Sequence, residues 1–475
     1  MTMPAILWLC RDFRFDDNAA LSAACADGPV LPVFILDAAT RAQGSASRWR
    51  LGRALAAFDA AWAARTGGHI TVLEGEAADL LPALATRLGA TSIHQNDWPA
   101  PAQQRVQAAL SDALGGGPVR LHLHPGHLLI HPSRIRTGAG GSYKVYTPFA
   151  RAVRQAGPDR PLAPPGQLTA LPAIGDLRAG TLNLAPDMYR GAAVLAEHAL
   201  PAGEAAAFGR LEDFLDCVRD YPSHRDRPDI DATSGLSEHL ALGEISPRRI
   251  WATASLRGEV EPSLAAGSEK FLSEVLWREF AWHLLLAFPQ MPEAPWRQEW
   301  AAFPWAGESP AATAWARAET GIALVDAGLR EMRVTGRMHN RVRMVVASWL
   351  TKHLLTDWRI GLHHFADSLT DWDPAANAMN WQWVAGCGPD ASPFFRIFNP
   401  EKQAASFDPD SRYRDHWLQG EGARAYVSTL PASWNSPARW TSADTAPLLA
   451  EGRNRALAAL ERFNRAADRL SAKKG

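Results

Sequence analysis

Cysteine is scarce in this chain of 475 residues. Its four copies, Cys10, Cys25, Cys217 and Cys387, stand singly and form no CxxC pair. That pattern excludes a disulfide framework and suits a reducing, cytoplasmic setting. A surplus of one charge is missing too, since 49 Lys and Arg against 50 Asp and Glu leave a formal net charge of −1. The chain as a whole does not advertise a nucleic-acid binder, so any basic patch must be local. No apolar run approaches the ~18–20 residues of a membrane-spanning helix. The first one, Ala5 to Cys10, is broken at once by Arg11 and Asp12 and reads as a core strand rather than a secretory leader. Catalytic signatures are equally sparse. The sequence has no P-loop, GxSxG elbow, HExxH pair or zinc-deaminase motif. Gly138, Gly140 and Gly141 form GAGGSY, which lacks the third glycine of a dinucleotide fingerprint and reads as a turn ahead of Tyr143 to Phe149.

What is present is a change of texture along the chain. Up to residue 131, short apolar runs alternate with amphipathic stretches. Ala5 to Cys10, Val30 to Asp37, Ile70 to Glu74, Ser92 to His94 and Val119 to His122 predict buried parallel strands. Ser47 to Thr66, Glu76 to Leu88 and Ala102 to Leu114 predict the helices between them. The alternation argues for a doubly wound, Rossmann-like α/β domain over residues 1–131. Residues 132–200, rich in proline and glycine, predict a connector running over the surface. Beyond 200 the strand signals fade. Glu204 to Tyr221, Ser268 to Phe288, Asp326 to Arg333, His339 to Leu355 and Thr445 to Leu470 predict a nearly all-α domain over residues 201–475. Tryptophan is segregated there, with 15 of 19 copies after residue 250, more than space-filling requires.

Two clusters invite a chemical reading. His122, His124, His127 and His131 are close in sequence, but Pro125 and Gly126 interrupt them and no acid or thiol completes a metal set, so a structural role is expected. The stretch from 326 to 400 is more informative. Between residues 330 and 359, Arg330, Arg333, Arg337, Arg341, Arg343, Lys352 and Arg359 face only Glu331 and Asp357, which makes the block locally basic. Helical spacing aligns Asn340, Arg341 and Met344, and likewise Glu274, Trp277 and Arg278. Such faces suit a polar-aromatic pocket, although single arginines are more often solvated surface charge.

The stretches VDAGLREMRVTGRMHNRVRMVVASWLTKHLLTDWRIG and DWDPAANAMNWQWVAGCGPDASPFFRIFNP closely resemble the flavin-binding domain of the photolyase and cryptochrome family. TSGLSEHLALGEISPR (233–248), FLSEVLWREF (271–280), ILWLCRDFRFDDNAAL (6–21) and TGAGGSYKVYTPF (137–149) match in order and spacing. The resemblance implies an α/β antenna domain and a helical domain that holds FAD. By position, Tyr221, Thr233, Ser234, Gly235, Leu236 and Ser237 are expected to meet the diphosphate and ribityl chain. Arg278, Asn340 and Arg343 are expected to line the flavin, with Asp371 and Asp373 near the ribityl and ring, and Asn377 facing flavin N5. In plant-type cryptochromes that last position is typically an Asp.

The same resemblance assigns the substrate. Trp277 and Trp383 would flank a flipped-out pyrimidine dimer in DNA, Glu274 would bond its polar edge, and Asn340, Arg341 and Met344 would complete the pocket. A poorly stacked lesion costs less to extrude than a sound base, and aromatic walls restore ~1–3 kcal/mol of stacking per base. Retention of Trp277, Glu274 and Trp383 favours light-driven cyclobutane dimer repair by reduced FAD over the alternative, a cryptochrome-type photoreceptor. Trp381, Trp358 and Trp305 match the family's electron-transfer triad. Arg337 departs from the family, which often has Trp there. An Asn-Glu pair that binds methenyltetrahydrofolate in some members aligns near Ala102 and Gln103, so that binding mode is unsupported. A folate antenna bound elsewhere is the expectation, because NAMNWQWVAG and the short C-terminus resemble class III photolyases. The chain is expected to act as a monomer.

Overall fold

The computed structural model describes residues 3–389, 396–434 and 440–472. The motif residues 390–395, inside the quoted DWDPAANAMNWQWVAGCGPDASPFFRIFNP stretch, lie outside the described residues. The chain divides into two compact units. The first is Met1–Asp187, Leu200–Pro222 and Thr233–Ala287, and the second is Met188–Ala199, Ser223–Ala232 and Phe288–Gly475.

In the first unit, β1 (Ala5–Leu9), β2 (Val30–Leu36), β3 (Thr71–Glu74), β4 (Ser92–Asn96) and β5 (Arg120–His124) form one parallel sheet in the order β3-β2-β1-β4-β5. Ala5 lies beside Val30 on one side and Ser92 on the other, so β1 is central. Because side chains alternate across a strand, one face of the sheet carries Leu7, Leu9, Phe34 and Leu36 and packs on α1 (Ala19–Asp27) and α2 (Ser45–Thr66). The other carries Ile6, Trp8, Val33 and Ile35 and packs on α3 (Ala77–Leu88) and α4 (Pro101–Leu114). This is the doubly wound arrangement expected. One strand differs from expectation: β5 is an edge strand, with Arg120, His122 and Leu123 exposed rather than buried.

The proline-rich segment is also more than a surface connector. It begins α5 (Tyr146–Ala156), whose Phe149 and Val153 are buried, and it returns Ala179 and Leu184 to the sheet core. It also pairs with the start of β2, where Val30 N donates to Thr169 O at 2.8 Å and Leu171 N donates to Val30 O at 2.9 Å. Helices α6 (Glu204–Asp216), α7 (Ser237–Leu242), α8 (Pro247–Val260) and α9 (Ala265–Ala287) complete the unit, around a second core of Leu211, Phe214, Ile250, Phe271 and Leu272.

The second unit is helical among its described residues. It is built on α10 (Ala323–Thr335), α11 (Asn340–Ser348), α12 (Trp358–Ser368), α13 (Pro374–Ala385) and α14 (Thr445–Ala472). His339 caps α11, Asp357 caps α12 and Asp373 caps α13, each side chain accepting backbone N–H bonds of the first turn. Between α11 and α12 the residues Trp349–His353 widen into a π-helical turn, which ends the helix sooner than the expected His339 to Leu355.

Candidate functional site

Residues 233–237 form a loop leading into α7. Arg210 of α6 ties it down by donating to Thr233 O and Ser234 O at 2.8 and 2.7 Å. Gly235 sits in the left-handed region at φ +63°, and a Cβ there would stand 2.7 Å from Arg210 Nε, so both the dihedral and the space require glycine. Among the described residues, the backbone N–H groups of Thr233, Ser234, Gly235 and Ser237 donate to no protein group. A row of such donors, with the hydroxyls of Thr233, Ser234 and Ser237, fits phosphate oxygens without a dinucleotide fingerprint. Tyr221 is buried between Phe214 and Phe271, at 5.2 and 6.2 Å between ring centroids.

The loop is anchored from beneath by a buried ion network. Arg50 of α2 bonds Glu238 at 2.8 Å and Glu244 at 3.0 and 2.6 Å, and His239 Nδ1 lies 2.5 Å from Glu244 Oε2. Burial alone would push the Glu244 carboxyl up, but the Arg50 charge and the His239 hydrogen bond outweigh it and hold it at about 2. Neither Arg210 nor Arg50 was legible as part of a site, because their partners lie far off in sequence.

On α9, Glu274 bonds Lys270 at 3.0 Å, and Trp277 stacks on Tyr146. Arg278, expected at the flavin, gives its guanidinium to Glu279 at 2.7 Å and to His127 O and Nε2 at 3.1 and 2.9 Å. The other histidines of the sequence cluster are also in hydrogen bonds or ring contacts. His94 joins His124 at 3.0 Å and Asp27 at 2.9 Å and stacks on His122, while His131 bonds Ser133. At the carboxyl ends of β1 and β4, Gln103 is buried. Its Oε1 accepts from the Cys10 thiol, and its amide faces Gln95 Oε1 at 3.5 Å.

In the second unit, α11 presents Asn340 exposed and Arg341, Arg343 and Met344 half-buried. Arg341 pairs with Asp226 at 2.8 Å and lies over Phe407. Arg343 donates to Asp371 Oδ2 at 2.8 Å and to Met338 O at 2.7 Å. The other Asp371 oxygen, Oδ1, is buried without a protein partner, and so is Trp381 Nε1. Buried polar atoms normally find partners, so these two fit a polar ligand. Asp373 is occupied as the cap of α13, and Asn377 Nδ2 donates to Leu362 O at 3.0 Å. Trp383 is partly exposed, with Arg396 over its ring.

The basic block is less available than its composition suggests. Arg330 and Arg333 are not solvated surface charges. They turn inward over the rings of Tyr426 and Trp434, Arg330 bonding Trp417 O and Arg333 bonding Thr429. Lys352 is fully buried against Ala385 O at 2.6 Å, and burial lowers its amine to about 7. Arg359 pairs with Asp357, and Arg337 reaches His198 O.

Of the three tryptophans of the expected triad, Trp381 stands on α13, Trp358 opens α12, and Trp305 lies in a non-helical segment. Trp381 lies on the backbone of α12 at Gly361, where a Cβ would be 2.0 Å from its ring. Gly361 is three residues, about one helical turn, beyond the buried Trp358. Trp305 precedes Ala306, whose N–H donates to Leu355 O and whose carbonyl accepts from Asp357 N, both at 2.8 Å, next to Trp358.

Comparison with known proteins matches both halves of the chain. Residues 5–167 match the family model described as DNA photolyase, and residues 271–446 that described as FAD binding domain of DNA photolyase. A protein of Agrobacterium fabrum named deoxyribodipyrimidine photo-lyase is 42% identical over 87% of this chain and 86% of its own. One of that name from Thermus thermophilus is 36% identical over 87% and 92%. The crystal structure of a bacterial class III photolyase from Agrobacterium tumefaciens superposes with a TM-score of 0.86 at 37% identity, covering 98% of both chains. The phosphate-fitting loop and the orphaned acidic oxygen thus stand in a chain that belongs to the photolyase and cryptochrome family and carries its FAD-binding domain.

Proposed function

We propose that this protein repairs cyclobutane pyrimidine dimers in DNA in a light-driven reaction, as a photolyase of the class III type. The observation that carries the reading is the 42% identity, across 87% of the chain, to a protein named deoxyribodipyrimidine photo-lyase. Joint retention of Glu274, Trp277 and Trp383 supports it. FAD, when bound in its reduced form and excited by blue light, supplies one electron that opens the cyclobutane ring and then returns. Thr233, Ser234, Gly235, Leu236 and Ser237, with Tyr221, hold the diphosphate and ribityl chain through N–H and hydroxyl donors. Asn340, Arg343, Asp371 and Asp373 hold the ring and ribityl region. Asn377 would stand on the N5 side of a bound flavin, where an amide, unlike a carboxylic acid, has no acidic proton to give. Arg278, whose guanidinium bonds Glu279 and His127, is assigned to the flavin lining by the resemblance alone.

The residues assigned to DNA bind and orient the lesion. Trp277 and Trp383 offer flat apolar faces to the two bases, Glu274 bonds their polar edge, and Asn340, Arg341 and Met344 close the pocket and exclude water. Trp381, Trp358 and Trp305 would relay electrons from an external reductant toward bound oxidised flavin, returning it to the reduced form. A folate, 5,10-methenyltetrahydrofolate, serves as antenna at a place other than Ala102 and Gln103. The protein acts as a monomer in the cytoplasm. Incubating the reduced protein with a thymine-dimer oligonucleotide in blue light and in darkness tests the function. Intact thymines restored only under illumination support repair. Lesion binding without conversion would instead support a cryptochrome-type photoreceptor.

A further inference from the structure

We infer that Tyr146 is a positioning residue for Trp277, which it holds by one face so that the remaining surface of the indole is presented in a fixed orientation to the flipped-out lesion. The inference rests on the reading of Trp277 as a wall of the dimer pocket.

Tyr146 opens α5 in the segment Thr137–Phe149, which the proposed function has so far left without a role. Its ring lies parallel to that of Trp277 within 2°, with centroids 3.7 Å apart. Aromatic pairs left to themselves prefer offset or edge-on arrangements with centroids ~4.5–7 Å apart. A nearly full overlap therefore needs an external constraint. The phenol hydroxyl supplies one by donating to Ser273 O at 2.8 Å. Ser273 precedes Trp277 by four residues, so hydroxyl and ring grip one side of the same turn of α9. Phe280 closes a further side, edge-on to both rings at 6.0 Å and fully buried, and Phe149 packs on Phe280 at 5.2 Å. Trp277 nevertheless stays partly exposed. The indole is thus backed by core on one face and kept open elsewhere. A wall already fixed in orientation loses little side-chain freedom when a base stacks on it, which favours the lesion specifically. Undamaged DNA, whose bases stay in the duplex, gains nothing from it.

The test measures affinity for a thymine-dimer oligonucleotide and for the same undamaged sequence at one salt concentration. Wild type, Tyr146→Ala, Tyr146→Phe, Trp277→Ala and the double variant Tyr146→Ala/Trp277→Ala are compared, with flavin content as a control. Tyr146→Ala is expected to lower the lesion-to-undamaged ratio about five- to tenfold, from the combined loss of the ring pair and of preorganisation, with undamaged-DNA affinity unchanged. Tyr146→Phe keeps the ring but loses the tether and should lower the ratio about twofold. The double variant should match Trp277→Ala, because Tyr146 acts only through that indole. If Trp277→Ala lowers the ratio and Tyr146→Ala leaves it at wild type, or weakens both DNAs equally, the inference is overturned. If Trp277→Ala itself leaves the ratio unchanged, the dimer-wall reading fails instead. Should Tyr146→Ala not fold, a Tyr146→Phe variant indistinguishable from wild type overturns the inference alone.

Discussion

Replacing Arg343 by Met probes the link between folding and cofactor binding. Met keeps much of the length and apolar bulk of the stem but removes the 2.8 Å bond to Asp371 and the 2.7 Å bond to Met338 O. Asp371 would then be left with one carboxylate oxygen newly unpaired beside Oδ1, which already has no protein partner. Its side chain is only 6% exposed, so water replaces little of the loss, whereas the 26% exposure of Arg343 weakens the original pair. A bond to a charged group is worth ~1.5–3 kcal/mol, and with the carbonyl bond added and exposure discounted the expected cost is ~2–4 kcal/mol. In a unit of this size that lowers the melting temperature by about 5–15 °C. Flavin absorbance per protein should fall as well. Adding Asp371→Asn removes the stranded charge, so the double variant should regain ~1–2 kcal/mol of stability without regaining flavin. Melting curves taken with and without added FAD measure both effects. An Arg343→Met protein that melts within a degree of wild type, or a double variant no more stable than the single one, would refute the argument.

Gly361→Ala would set a methyl group about 2.0 Å from the Trp381 ring and force it aside, costing ~1–3 kcal/mol, and photoreduction of bound flavin should slow far more than flavin binding weakens. For the Arg50 network, Glu244 has a folded-state pKa of about 2, depressed below the ordinary 4.5. Its contribution of roughly 3 kcal/mol is therefore complete above about pH 4.5 and disappears as the pH falls toward 2. Arg50→Met should lower stability at pH 7 and flatten that acid limb, which urea titrations across pH 2–7 will register.

The sheet was legible because buried parallel strands read as short, continuous apolar runs, and four of the five are buried over all or part of their length. β5 misled because an edge strand has the same β-forming composition with one side left open. α13 carries Asn377, Trp381 and Trp383 but was not readable from periodicity. Its buried positions, such as Ala375, Ala378, Met379, Trp381, Gln382 and Val384, leave no clear polar stripe. Site residues were found by resemblance, and local spacing showed only their shared helix faces. What could not be read was the use of each charge. Nothing local distinguishes Arg333, folded over Trp434, from a surface arginine, or predicts that Arg50 meets Glu238 and Glu244 about 190 residues away. The basic block accordingly presents fewer outward charges than its composition implies.

The central claim is that light absorbed by bound flavin is spent on a lesion held against it. The most direct measurement is the excited-state lifetime of the reduced flavin with no DNA, with undamaged DNA and with a thymine-dimer oligonucleotide. The account predicts a lifetime shortened by the dimer alone, with thymine appearing at a matching yield. A lifetime that saturating dimer DNA leaves unchanged would contradict it.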